Sequence, residues 1–159
     1  MGTTYKSDII AWANEQAALL RSGNFSAIDI ENIAEEIEDV GKSEQRELSS
    51  RMAVLLSHLL KWQYQSSHRT PSWERTIEEQ RKSINRRLKK TPSLKVSLEN
   101  SDWWEDAWGD AVTDAAKETD LKFSILPRDC PWTKEQIMKD DFFPDAGESV
   151  TPKPGKGFK

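Results

Sequence analysis

Apolar residues recur along most of this chain at alternating steps of three and four, the spacing that lines one face of an α-helix. The pattern is densest between Ser43 and Gln65, where Leu48, Met52, Leu55, Leu59 and Trp62 form one row. Ala53, Leu56 and Leu60 widen that row to about half the helix circumference, and Val54 falls on the far side. A helix this apolar needs neighbours on several sides. It is expected at the centre of a bundle, wrapped by the remaining helices.

The flanking segments supply those helices. A first one is expected to start at Ser7 or Asp8, either of which can cap free N–H groups. Ile9, Trp12, Ala13, Gln16, Ala17 and Leu20 would form its inner face, and Gly23 its stop. Phe25 and Ile28 are expected to pin the following link to the core. A second helix should run from about Asp29 to Val40, with Ile30, Ile33, Ala34, Ile37 and Val40 inward. Gly41 would end or kink it, and Ser43 would cap the central helix. Pro71 suits the first turn of a fourth helix whose inward row is Trp73, Ile77, Gln80, Ile84 and Leu88. Thr91-Pro92 repeats the signal for a short helix carrying Leu94 and Leu98. Asn100–Asp102 reads as a hinge or a fresh cap before a helix with Trp104, Trp108, Ala111, Val112 and Ala115 on one face.

Beyond Asp120 the periodicity fades. Phe123, Ile125, Leu126 and the turn Pro127–Pro131 read as an irregular strap on the bundle. Thr133 and Gln136 have capping-box spacing, which implies a last helix of about two turns. From Pro144 onward Pro, Gly and Lys dominate, as in a disordered tail. The chain shows no internal repeat and no convincing strand-forming run. The expected class is all-α, an irregular bundle of about five main helices around a central one near 43–65. Residues 1–143 would be one domain and 144–159 a flexible tail.

Composition narrows the classes of function. The 159 residues can bury a core without disulfide or metal. Charged residues make up 31% and mean hydropathy is −0.76, so the exterior is heavily solvated. Neither a membrane-spanning run nor an apolar signal core is present, and the single Cys130 fits a reducing cytoplasm, where the protein is expected to reside. The formal charge of −4 does not favour nucleic acid globally, but its distribution is uneven. Residues 29–47 carry eight acids against Lys42 and Arg46. Residues 69–95 carry nine bases against Glu74, Glu78 and Glu79. Such blocks are commonly solvated or mutually paired faces.

The segments IENIAEEIEDVGKSEQRELSSR, LLSHLLKWQYQ, PSWERTIEEQRKSI and CPWTKEQI, in that order, resemble the bacterial domain-of-unknown-function family twenty-nine, common in cyanobacteria. The resemblance covers roughly Ser7 to Pro144. It implies one compact helical bacterial protein without an accepted biochemical role, and it draws attention to Glu35, Glu36, His58, Lys61 and Trp62, which match the family's text.

Candidate chemistry centres on Arg51 and His58, seven residues apart and so about two turns apart on one side of a helix. An Arg can hold a phosphate bidentately while a His moves a proton near neutral pH. The Arg-x6-His spacing looks like the signature of the HEPN nucleases, although here Met52 follows the Arg where that family carries a polar residue. The alternative is that Arg51 pairs with a glutamate of the second helix and His58 is a boundary residue bonded locally. Glu35, Glu38 and Lys61 form a candidate polar cluster. Glu31, Glu35 and Glu38 share one flank of the second helix that His58 could approach as a metal-ligand set, but no Glu-x-x-His or His-x-x-x-His motif supports it. Arg81, Lys82, Arg86, Arg87, Lys89 and Lys90 could follow a phosphate backbone, with no aromatic among them to stack on bases. Cys130 lacks a basic partner and reads as a small hydrophobe. Trp103 and Trp104 diverge by about 100° on a helix, so one of them is a candidate partner surface.

The reading that follows is a small cytoplasmic interaction module, without metal, cofactor or catalysis of its own. Its partner is either a second copy, in a homodimer, or another protein. The competing reading is an RNA-directed nuclease or toxin-type protein using Arg51 and His58.

Overall fold

The computed structural model describes Gly2 and residues 4–144. The expected flexible tail therefore lies outside the described residues, apart from Pro144. Among the described residues the fold is all-α. Five α-helices follow in order: α1 (Ile9–Arg21), α2 (Ile30–Tyr64), α3 (Pro71–Lys90), α4 (Ser101–Thr119) and α5 (Lys134–Met138). Three 3-10 segments connect them, at Phe25–Ala27, Ser66–His68 and Pro92–Glu99. No helix among the described residues is long and apolar enough to cross a membrane.

The helix ends follow local chemistry. Asp8 caps α1 by accepting from the Ala11 N–H, Thr70 caps α3 with Pro71 behind it, and Asn100 caps α4. Thr133 and Gln136 close a reciprocal capping box on α5, which is a single short helix of five residues rather than two full turns. After α1, Gly23 adopts φ +78, and the chain closes with bonds from Gly23 N to Leu20 O and from Asn24 N to Leu19 O. Those two bonds satisfy the carbonyls that a helix terminus leaves open, and the left-handed turn suits a residue without Cβ.

One boundary expectation is overturned. The second and central helices are a single helix, α2, of 35 residues, with Gly41 and Ser43 inside it. A glycine within a helix costs about 1 kcal/mol relative to alanine. That is too little to break a helix whose wider flanks are rich in Glu, Gln, Arg and Leu.

The chain forms two compact units, Met1–Glu44 and Gln45–Lys159, and their division falls within α2. In the larger unit the second half of α2 carries the core. Leu48, Met52, Leu55, Leu56, Leu59 and Leu60 are all 0% exposed. They pack with Ile77 and Ile84 of α3, Leu94, Ala107, Trp108, Ala111 and Ala115 of α4, Leu126 and Ile137. The expected row of α3 is confirmed at Ile77 and Ile84, with Trp73, Gln80 and Leu88 partly covered. The segment from Pro92 is 3-10 rather than α-helical, and it still buries Leu94. Of the expected strap only Leu126 is buried, while Phe123 and Ile125 face solvent at 60% and 41%. The strap is held instead by its backbone. Trp108 Nε1 donates to the carbonyls of Pro127 and Arg128 at 3.3 and 3.0 Å.

The largest departure is Arg81. It is only 1% exposed and belongs to the core rather than to a basic surface. Its Nε donates to Ile137 O at 2.8 Å, Nη1 to Asp140 O at 3.1 Å and Nη2 to Phe142 O at 2.7 Å. Its guanidinium also lies 5.5 Å from the Phe143 ring. Burial draws its pKa down, opposed by the charges of Asp140, Asp141 and Glu78. Phe143 in turn packs at 4.9 Å on Trp62, whose other partner is the Arg69 guanidinium at 4.6 Å. Arg69 also reaches the Trp62 and Pro144 carbonyls, and Pro144 is buried.

Removing the guanidinium strands three carbonyls at once. Arg81→Met should lower unfolding free energy in urea by about 3 kcal/mol or more, and should speed amide exchange through residues 137–143. Arg81→Lys should recover only part, because an ammonium lacks the planar fork. An unchanged urea midpoint for Arg81→Met would refute this account.

Candidate functional site

In the smaller unit, the polar edge of the first half of α2 is the one that makes contacts. Asp29 precedes the helix and accepts from Trp12 Nε1 at 2.9 Å and from Asn32 Nδ2 at 2.8 Å. Its own N–H donates to Gln16 Oε1 at 2.7 Å. The hydrogen bonds from Asn32 and then Trp12 hold the Asp29 carboxyl below its usual range. Tyr5 donates its hydroxyl to Glu36 Oε2, which pushes the phenol up to about 12. Trp12 and Gln16 are the only residues of α1 that become buried.

The apolar row behaves in the opposite way. Ile30, Ile37 and Val40 are exposed at 67%, 66% and 66%, and Ala34 is exposed as well, with Ile33 partly covered. All of them were expected to face inward. Ile9, Ala13 and Leu20 of α1, also expected inward, are exposed, as is Phe25, expected to pin the link to the core. The periodicity is real, but within the smaller unit none of the described residues covers it. At about 100° per residue, Glu31 and Glu38 border the row on one side and Asp29 and Glu36 on the other. The result is an apolar helical strip between two acidic edges.

The residues singled out from sequence lie elsewhere. Arg51 pairs with Glu47 one turn back on α2, at 3.1 Å, with both side chains partly exposed. Glu47 also meets Arg87 of α3 at 3.4 Å. The His58 Nδ1 lies 2.9 Å from the Val54 carbonyl. Since a carbonyl only accepts, the proton of neutral His58 sits on Nδ1. Burial lowers the His58 pKa, and Lys61 adds to that, against the opposing pull of the Val54 carbonyl and Glu118. Among the described residues no hydrogen bond or ion pair joins Arg51 to His58.

The polar cluster divides in the same way. Lys61 is buried and pairs with Glu118 of α4 at 2.5 Å, with its ammonium 5.1 Å from the Trp73 ring. Glu35 and Glu38 are exposed on the first half of α2, and they share that helix with His58 instead of standing on a separate one. No group of three or more His, Cys, Asp or Glu side chains among the described residues is placed to hold a metal ion.

Trp103 and Trp104 are both partly covered. They meet edge to face at 5.2 Å, and their ring N–H groups donate to Gln45 O and Leu98 O at 3.2 and 2.8 Å. Cys130 packs against the core with its thiol toward Trp132 O, and burial pushes that thiol up to about 11. It is therefore protonated at neutral pH and a poor nucleophile.

Two features escaped the sequence reading. Arg81 stands four residues after Ile77 and three before Ile84, a position on the inward row that marked it for burial despite its charge. The second is the exposure of the α2 strip, for which periodicity carries no signal.

An all-α architecture with an uncovered acidic-edged helix defines the class of protein. Residues 4–143 match the family described as domain of unknown function DUF29, and the chain belongs to that family. No curated protein and no solved structure matches it.

His58 makes a pH prediction. Its folded pKa lies below the usual value near 6.5, so the unfolded chain binds the extra proton first as pH falls. Its contribution to stability should be full above about pH 7 and should decline below the unfolded value. His58→Gln should make the urea midpoint less sensitive to acidification between pH 7.5 and 5.5. An identical pH slope in both proteins would remove His58 from this role.

Proposed function

We propose that this protein is an interaction module which presents the apolar strip on the first half of α2 to a protein partner. The observation that carries the reading is the contrast within one helix. Leu48, Met52, Leu55, Leu56, Leu59 and Leu60 are sealed at 0% exposure, whereas Ile30, Ile37 and Val40 keep about two-thirds of their surface in water. Exposing three large aliphatic side chains forgoes roughly 1.5–3 kcal/mol each of burial, and a partner helix would recover it.

The geometry around Arg51 and His58 supports a structural role for each, as an ion pair at the surface and a half-buried ring bonded to its own helix. No arrangement there favours a nuclease reading over the module.

A photo-crosslinking amino acid in place of Ile37, in the cells that make the protein, should give a discrete adduct. The same group at exposed Asp106 of α4 should not. Ile30→Asp with Val40→Asp should abolish the adduct and leave the thermal midpoint within a few degrees, because both positions already face water. The proposal fails if the two positions give the same products, or if the double substitution leaves the adduct intact.

A further inference from the structure

We infer that the occupant of the α2 strip is a basic amphipathic helix of another protein, one that carries Lys or Arg along both edges of its own apolar row. This inference rests on the module reading above and concerns only what kind of partner fits.

The charge of the surface chooses the partner. Between Ile30 and Glu44 the helix bears six acids, and Lys42 is its one cation. Glu31 and Glu38 stand on one edge of the strip. On the other edge, the Asp29 and Glu36 carboxylates are bonded to the neutral donors Trp12, Asn32 and Tyr5, which orient them without cancelling their charge. The unit as a whole, Met1–Glu44, holds nine acidic residues against Lys6, Arg21 and Lys42. A second copy docking through the same strip would set acidic edge against acidic edge. Like charges opposed at an interface oppose association, whereas complementary ones speed encounter and fix orientation.

The form of the partner follows from the spacing. Ile30, Ile33, Ile37 and Val40 recur by three and four residues, a ridge that fits the groove of another helix. Recognition of an amphipathic helix through such anchors is a recurring mode, and its edges carry the selectivity.

Two synthetic amphipathic peptides with the same leucine row test this, one edged with lysine and one with glutamate. Each carries a fluorophore and is titrated with the full chain while anisotropy is read. The lysine-edged peptide should bind about tenfold tighter or more, and its advantage should shrink as salt shortens the Debye length. Ile37→Asp should weaken that peptide by about tenfold, although it adds negative charge, and this separates docking on the strip from general attraction to an acidic protein. Glu31→Lys with Glu38→Lys should shift preference toward the glutamate-edged peptide. Equal binding of the two peptides would overturn the inference and leave the module reading standing. If neither binds, or if Ile37→Asp changes nothing, both are overturned. A dimer in sedimentation that Ile37→Asp converts to monomer would assign the strip to a second copy, against the inference but within the module reading.

Discussion

A guanidinium buried among leucines and aromatics is stable only if its donors are satisfied, and Arg81 meets that demand with three backbone carbonyls, one in α5 and two in the segment after it. The consequence runs outward from the charge. The chain from Ile137 to Phe142 is held at fixed points, which brings Phe142 against Trp132 and Phe143 against Trp62. Trp132 in turn meets Trp108, whose ring N–H holds the loop after α4. Irregular backbone of this kind cannot satisfy itself as a helix does. It is ordered because side chains from the helices supply the missing donors.

The other organising fact is that α2 is one continuous helix with two environments. Its second half lies within a core drawn from α3, α4 and the segments beyond, and its first half keeps its apolar row open. Both halves have the same periodicity. What differs is the polar flank. In the smaller unit Asp29 and Glu36 take hydrogen bonds from Trp12, Asn32 and Tyr5, so the contacts made there use the charged edge and leave the aliphatic one free.

This division explains what could be read from the residues alone. Leu48 through Leu60, the caps at Asp8, Thr70 and Asn100, and the box at Thr133 and Gln136 are local or periodic features, and local chemistry dictated them. Whether a stripe is covered is a property of the rest of the chain, which is why Ile30, Ile37 and Val40 were expected inside. The break expected at Gly41 over-weighted one residue's propensity against a long run of good helix formers. Arg81 was grouped with Arg86 and Lys89 by charge, although its place in the helical row set it with Ile77 and Ile84. Arg51 and His58 share one side of a helix, as their spacing required, but spacing carries no information about which neighbours they would find. Glu47 and the Val54 carbonyl were nearer.

The placement of the indoles has an optical consequence. Of seven tryptophans, only Trp12 belongs to the smaller unit, and the other six stand at or beyond position 62. Intrinsic emission from this protein is therefore dominated by the larger unit, so the smaller one could melt or engage a ligand with little change in total signal. Trp12 donates its ring N–H to a carboxylate and meets Tyr5 edge to face at 4.8 Å. A chain stripped of the other six indoles would turn it into a private reporter of that unit.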